Sequence, residues 1–135
     1  MLLNLLSNAV KYTPAGGRVA VTAARESGFA VLTVVDTGMG IPAADQRSLF
    51  TRFFRASNVV DQQIPGSGLG LNIVQTVVSN HHGKVELKSE ESHGTVVTIR
   101  LPLLMDDPGV QERTNAGRRA AYEGHQPATS QGHAA

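Results

Sequence analysis

The first apolar residues of the chain follow a helical period and leave a polar face behind them. At about 100° per residue, one half of the helical wheel is apolar and consists of Leu2, Leu3, Leu5, Leu6, Ala9 and Val10. The other half is polar and consists of Asn4, Ser7, Asn8 and Lys11, with Tyr12 at its edge. A proline and two glycines follow at positions 14, 16 and 17. The pattern therefore predicts an amphipathic helix over residues 2–12.

Alternating, valine-rich segments predict strands, and two later helical periods predict further helices. We expect strands at 18–24, 29–36, 85–88 and 95–101. We expect helices at 43–54 and 70–80, with a mobile surface loop at 55–66 between them. Pairs of strands separated by helices favour an α+β fold with a mixed sheet and helices on one face, not a doubly wound parallel sheet.

Composition changes sharply near residue 105. Residues 106–135 contain no Ile, Leu, Phe or Trp and are rich in Ala, Gly, Gln and His. Such a segment buries too little apolar surface to offset the entropy of ordering it. We therefore predict one domain over residues 1–104 and a disordered tail over 105–135.

Bulk composition excludes several classes of function. The net charge is +1, which gives no support for binding nucleic acid. Cysteine is absent, so thiolate metal sites and disulfides are excluded. No apolar run reaches the roughly 18 residues of a membrane span, and the first residues do not form a signal peptide. We expect a cytoplasmic domain without membrane contact, whose parent protein could still be membrane-anchored.

The polar face of the first helix carries candidate chemistry. Asn4, Asn8 and Lys11 lie at i, i+4 and i+7, so they stack along one face. Asparagine is a mediocre helix former, an amide oxygen suits Mg²⁺, and a lysine suits a polyphosphate. From this helix alone, a merely solvated face is an equally good interpretation.

Two glycine-rich segments point more strongly to a nucleotide. Asp36 ends a predicted strand and is followed by Gly38, Gly40 and Ile41. The second segment precedes a predicted helix and reads Gly66-Ser67-Gly68-Leu69-Gly70-Leu71. Glycine lets a backbone approach a ligand closely, and a helix N-terminus favours an anion. Neither segment has the spacing of a Walker loop or a dinucleotide fingerprint.

Taken together, these segments resemble the ATP-binding catalytic domain of bacterial sensor histidine kinases, within the superfamily that includes gyrase-type and chaperone ATPases. Residues 4–13 resemble the N box, 36–40 the G1 box, 49–55 the F box and 66–71 the G2 box, and residues 94–102 are similar to the closing strand. The order and spacing match over residues 2–102. The resemblance implies a two-layer α/β sandwich of the Bergerat type, with a mostly antiparallel sheet.

The resemblance also implies a role for each matching residue. Asn8 would hold Mg²⁺, with Asn4 supporting it, while Lys11 and Arg55 would contact the phosphates. The nucleotide would also contact Tyr12, the two glycine segments, the Asp36 carboxylate through its adenine amine, Ile41 through its ring, and Thr98 behind the adenine. Residues 55–66 would form a lid, anchored by Phe50 and Phe53; plain core packing is an equally good interpretation of both phenylalanines.

One position separates the subfamilies. Members that hydrolyse ATP resemble each other in having glutamate where Asn4 stands, and an amide cannot take a proton from water. The resemblance therefore implies a histidine kinase that holds ATP for a protein acceptor, with Asn4, Asn8, Lys11 and Arg55 as its catalytic set. A serine kinase of the anti-sigma type is disfavoured because those relatives have the glutamate.

The expected partners are a histidine-containing dimerisation segment and, indirectly, a response-regulator receiver domain. The family domain usually begins with a strand and a half-helix that we do not find before Leu2, so we expect an N-terminally truncated fragment. We expect that fragment to be monomeric, less stable than a whole domain and unable to phosphorylate itself, and its parent to be a homodimer. The alternative is a non-catalytic module that binds only a nucleotide or a partner.

Overall fold

The computed structural model describes residues 1–103. Its elements are, in chain order, α1 (Leu2–Tyr12), β1 (Val19–Glu26), β2 (Phe29–Asp36), a 3₁₀ turn (Gln46–Ser48), α2 (Ser57–Asp61), α3 (Gly70–Asn80), β3 (Lys84–Glu90) and β4 (Gly94–Pro102). The predicted tail at 105–135 lies outside the described residues. Within 1–103, no helix is both long enough and apolar enough to cross a membrane.

The four strands form one sheet in the order β1-β2-β4-β3, and every neighbouring pair is antiparallel. The register places Asp36 of β2 opposite Thr95 of β4, and Thr95 opposite Ser89 of β3. These three residues therefore form one row across the sheet. The predicted α+β fold is confirmed, with an antiparallel sheet among the described strands.

The main core lies between the sheet and two helices. Its buried residues come from α1, α3, β2 and β4 and are Leu5, Ala9, Val34, Val74, Val78, Val97 and Ile99. Alternation along β4 is clear, since Val97 and Ile99 are buried in this core while Thr98 between them is not. Side chains of even-numbered β4 residues thus leave the sheet on the face away from the helices.

A second, smaller cluster joins the segment after β2 to α2. Leu49, Ala56 and Val59 are buried in it, with Ile41 and Phe54 packed against them. Leu87 of β3 and Leu71 of α3 also pack against this cluster. It positions the walls of the site described below.

The predicted helix over 43–54 is wrong. Only Gln46–Ser48 is helical, as a 3₁₀ turn, and the hydrogen bonds continue as i to i+3 turns through Phe54. The Gln46 side chain instead donates to the carbonyls of Ile41, at 3.0 Å, and Ser89, at 2.8 Å. The Asp45 carboxylate accepts from the backbone and hydroxyl of Ser57, each at 2.7 Å. These side chains anchor neighbouring segments, and a regular helix would point them elsewhere.

The predicted loop over 55–66 is only partly a loop, because α2 lies inside it. Asp45 lies where an N-terminal cap is needed, since it accepts the first backbone N–H of α2. Because the residue that accepts this N–H lies twelve positions earlier in the chain, no local sequence pattern indicates where α2 begins.

Candidate functional site

A cavity of about 300 Å³ opens between the sheet, α1, the start of α3 and the segment containing α2. The apolar part of its lining includes Leu5, Ala9, Val34, Met39, Ile41, Leu49, Phe54, Val59, Leu71, Leu87 and Val97. The polar part includes Asn8, Lys11, Tyr12, Asp36, Arg55, Ser67 and Thr95. An apolar slot with a few polar groups is the usual form of a small-molecule site.

Asp36 brings a carboxylate to this cavity from the end of β2. Its Oδ1 accepts the backbone N–H of Gly38 at 2.9 Å, and the backbone N–H of Thr95 also bonds to the carboxylate. Burial raises the pKa of Asp36 above its usual 3.8, against the opposing effect of these two hydrogen bonds. The carboxylate is thus partly desolvated and held in place, so that a donor in the cavity would bond to it strongly.

Two cationic side chains converge on the second glycine segment. A Cβ atom placed on Gly66 would lie 2.9 Å from Lys11 Nζ, 3.8 Å from the Tyr12 hydroxyl and 3.9 Å from Arg55 Nε. Lys11 Nζ also lies 5.2 Å from the centre of the Tyr12 ring, and an Arg55 guanidinium nitrogen donates to the carbonyl of Ile64. Two positive charges beside a glycine backbone form a site suited to phosphate.

The amide side chains of α1 face the first turn of α3. A Cβ atom placed on Gly70 would lie 3.6 Å from Asn8 Nδ2 and 3.8 Å from its Oδ1. Asn4 Nδ2 donates to the Gly70 carbonyl at 3.5 Å. Asn8 therefore lines the cavity, while Asn4 lies behind it and ties α1 to α3. Among the described residues, no three His, Cys, Asp or Glu side chains cluster as a metal site.

Several hydrogen bonds fix the loops around the cavity. Phe53 N–H donates to the Gly68 carbonyl at 3.1 Å, and Asn72 Nδ2 of α3 donates to the Phe50 carbonyl at 2.9 Å. On the other side, Asn58 Nδ2 of α2 donates to the Gly40 carbonyl at 3.0 Å. The second glycine segment and α2 are thus tied to the rest of the cavity wall through backbone carbonyls.

Most residues predicted from the sequence line this one cavity. These are Asn8, Lys11, Tyr12, Asp36, Gly40, Ile41, Arg55, Gly66, Ser67, Gly68, Gly70 and Leu71. Four others do not line it: Asn4, Gly38, Leu69 and Thr98. Asn4 and Gly38 still contact lining residues through their hydrogen bonds.

The expected position of Thr98 behind the ligand needs correction. Thr98 lies on the sheet face away from the helices, whereas Thr95 and Val97 line the cavity. The sequence contained a signal for this, because three of the four aliphatic residues of β4, Val97, Ile99 and Leu101, share the parity of Thr95 and only Val96 shares that of Thr98. Thr95 and Met39 are cavity residues that the sequence interpretation missed.

The expectation for Phe53 also needs correction. Its side chain is 71% exposed, and its backbone has a φ of 63° in the left-handed region. Phe54, the next residue, lines the cavity instead. Phe50 packs against the smaller cluster as expected. Because the chain around Phe53 is not helical, its side chain faces away from the cluster.

The fold and this cavity are those of a known class. The family model described as "Histidine kinase-, DNA gyrase B-, and HSP90-like ATPase" matches residues 1–105. The chain belongs to this family. Its matched region is an ATP-binding catalytic domain of the sensor histidine kinase type.

Individual relatives agree with this assignment. The sensor histidine kinase RppB of Synechocystis is 39% identical over 103 residues, which are 76% of this chain and 23% of RppB. The solved mycobacterial sensor histidine kinase MprB is 38% identical with a TM-score of 0.65, covering 77% of this chain and 71% of that one. Full-length ShkA in complex with AMPPNP is 31% identical with a TM-score of 0.65, covering 78% and 21%. The chain thus spans about a quarter of the length of the curated relatives it matches.

Proposed function

We propose that the cavity binds ATP with Mg²⁺ and that the chain is the kinase half of a two-component sensor, donating the γ-phosphoryl group to a histidine on a separate segment. The observation that carries this proposal is the convergence of Lys11, Tyr12 and Arg55 on Gly66, in the same cavity as Asp36. A carboxylate for an amino group and two cations for phosphates are the groups that adenosine triphosphate requires.

The adenine would lie in the apolar slot. The ionised Asp36 carboxylate only accepts hydrogen bonds, so it would take one from the exocyclic amine. Ile41 and Met39 line the same slot and would pack on the ring. ShkA, a structural relative, was solved in complex with AMPPNP, which supports an adenine nucleotide as the ligand.

The phosphates would lie against the second glycine segment. Gly66 and Gly68 leave the backbone open to a close approach, and α3 begins at Gly70. The N-terminus of this 11-residue helix adds a favourable dipole for an anion. Lys11 and Arg55 would neutralise negative charge there without covalent participation, as is usual in phosphoryl transfer.

The donor set fits Mg²⁺ as well. Asn8 supplies one amide oxygen facing the cavity, and Mg²⁺ in kinases is commonly held by one or two protein ligands plus substrate phosphates and waters. Asn8 would be the protein ligand. When bound, the ion neutralises charge on the polyphosphate.

The position of Asn4 favours storage of ATP over its hydrolysis. Its amide donates to the Gly70 carbonyl, and an amide does not act as a general base toward water. No replacement carboxylate is among the described residues that line the cavity, apart from Asp36. The γ-phosphoryl group would therefore await the acceptor histidine, which would attack in line.

The acceptor and the downstream partner are also part of the proposal. We place the acceptor histidine on a dimerisation segment of the parent protein, which would be a homodimer working in the cytoplasm. A response-regulator receiver domain would then take the phosphoryl group from that histidine. The names and greater lengths of relatives such as RppB support this arrangement.

The test combines binding with transfer. Calorimetry with ATP should show Mg²⁺-dependent binding to the full chain. Labelled ATP should then transfer its label to a separately made acceptor segment from the parent protein, and Lys11→Ala should abolish that transfer. Binding without any transfer would favour the non-catalytic alternative, and no binding by a folded sample would reject the proposal.

A further inference from the structure

A polar row crosses the sheet at the edge of the cavity. Asp36, Thr95 and Ser89 are direct cross-strand neighbours on β2, β4 and β3. All three lie on the sheet face that carries the helices, since they share the parity of the core residues Val34, Val97 and Leu87. Asp36 and Thr95 line the cavity, whereas Ser89 lies beyond Thr95 and does not.

The hydrogen bonds of Ser89 limit where the hydroxyl protons can lie. Ser89 Oγ lies 2.9 Å from the carbonyl oxygen of Gly94 and 2.8 Å from Thr95 Oγ1. A carbonyl only accepts, and a serine hydroxyl has a single proton. When that proton is donated to Gly94, the contact with Thr95 is a hydrogen bond only if Thr95 is the donor.

The geometry points to Ser89 as a positioning residue that sets base specificity: it takes the proton of Thr95, a residue that lines the cavity, and leaves the Thr95 hydroxyl as an acceptor only. The cavity then offers two acceptors at this place, the Asp36 carboxylate and Thr95 Oγ1. An exocyclic amine has two N–H groups and satisfies both. A carbonyl at the same ring position offers only lone pairs, so it is rejected twice.

Ser89 itself is held in register by its backbone. Its carbonyl accepts from Gln46 Nε2 at 2.8 Å, and the same amide nitrogen donates to the carbonyl of Ile41, a residue that lines the cavity. Gln46, the first residue of the 3₁₀ turn, therefore links the slot wall to the β3 residue that orients Thr95. This inference rests on the proposed binding of ATP.

The test is a ratio of two dissociation constants measured by calorimetry on the full chain. Inosine triphosphate carries a carbonyl where ATP carries its amine and an N–H where ATP has an unprotonated ring nitrogen beside it, and the triphosphate is the same. The wild-type chain should prefer ATP. In Ser89→Ala, Thr95 is free to rotate its proton toward the ligand, so we expect this preference to fall by about tenfold, the size of one hydrogen-bond mismatch.

Matched variants separate this role from a structural one. Ser79→Ala makes the same chemical change near the end of α3, outside the cavity lining, and should leave the preference unchanged. Ser89→Thr keeps a hydroxyl and should retain it. Thr95→Val should reduce the preference for ATP. The double variant Ser89→Ala/Thr95→Val should reduce it no further than Thr95→Val alone, because both substitutions remove the same Ser89–Thr95 hydrogen bond.

The measured preference for ATP over inosine triphosphate decides whether Ser89 has this role. An unchanged preference in a folded Ser89→Ala chain that binds ATP overturns the inference. If Ser89→Ala does not fold, Ser89→Thr is compared with Thr95→Val. Equal ratios of the two dissociation constants in these variants would overturn the inference. If the wild-type chain binds neither nucleotide, the proposed function itself fails, and there is no base preference to measure.

Discussion

Replacing Asp36 with asparagine should weaken ATP binding while leaving the free protein at least as stable. The side chain keeps its size, so packing around β2 is preserved. It loses its charge, however, and one of its two acceptor oxygens becomes an NH₂ donor. Two backbone N–H groups, those of Gly38 and Thr95, already bond to the carboxylate. The single remaining oxygen serves them best, which turns the new donor toward the ligand.

The size of the loss in ATP affinity follows from the one hydrogen bond that the ligand loses. A hydrogen bond to a charged acceptor contributes roughly 1.5–3 kcal/mol, and each 1.4 kcal/mol is about a factor of ten. The Kd for ATP should therefore rise by roughly ten- to 150-fold. Asp36→Ala should weaken binding by a similar amount, because it also removes the charged acceptor.

The stability change has the opposite sign. Burial raises the pKa of Asp36 above its usual 3.8, so the folded state holds the proton more tightly than the unfolded state does. The favourable contribution of this group is present at low pH and is lost as the pH rises through its raised pKa. At neutral pH the ionised carboxylate is a cost to folding, and asparagine removes that cost.

Calorimetry with Mg-ATP and thermal melting without nucleotide measure the two effects separately. Asp61→Asn, an exposed position of α2 outside the cavity lining, is the matched control and should change neither. Wild-type ATP affinity in a folded Asp36→Asn chain would refute the assignment of this carboxylate. A large drop in Tm would show that Asp36 stabilises the fold, contrary to the direction of its pKa.

Three further variants test the other parts of the site. Asn8→Ala should reduce the gain in ATP affinity that Mg²⁺ provides in calorimetry, and an unchanged gain would remove Asn8 from the metal site. Gly68→Ala should destabilise the free chain by more than the roughly 1–2 kcal/mol of a left-handed backbone, because Gly68 has a φ of 71° and a Cβ atom there would also lie 2.7 Å from backbone atoms; a wild-type midpoint in denaturant titrations would contradict this. Asp45→Asn should lower Tm at neutral pH, because hydrogen bonds from Ser57 hold the pKa of Asp45 below its usual 3.8. The difference in Tm between Asp45→Asn and the wild-type chain should shrink as the pH falls through the lowered pKa of Asp45. A difference that does not change with pH would contradict this explanation.

Four regular elements, α1, α3, β2 and β4, could be predicted from the sequence because each buries one face in the main core. The helical period of residues 2–12 and the alternation of residues 29–36 correspond to α1 and β2. The segment over 43–54 has apolar residues at helical spacing too, yet only three residues form a 3₁₀ turn. There, hydrogen bonds from Gln46 to the carbonyl of Ile41 and to the distant carbonyl of Ser89 override the local preference. Tertiary contacts of this kind leave no periodic signal.

Most residues of the site could be predicted from the sequence, but their spatial arrangement could be predicted only in part. The glycine segments identified where a ligand would approach, and Asp36 and Lys11 line the same cavity as expected. Thr98, which the resemblance implied, lies on the face of β4 away from the helices, and Thr95 lines the cavity instead. The partnership of Thr95 with Ser89 depends on the register of two strands joined by a turn, which the sequence leaves undetermined.

The three glycines of the second segment differ in what a side chain at each position would meet. At Gly70 a Cβ atom would meet Asn8 only at ordinary contact distances of 3.6 Å or more, so alanine would fit there and favour the helix. At Gly68 a Cβ atom would lie 2.7 Å from backbone atoms of Phe53 and Phe54, so glycine is a requirement of the fold. At Gly66 it would meet only the flexible end of Lys11, at 2.9 Å, which could move aside. Folding alone therefore does not demand glycine at Gly66. The space it leaves beside two cations is better explained by a ligand, which is the strongest steric argument for a phosphate at this position.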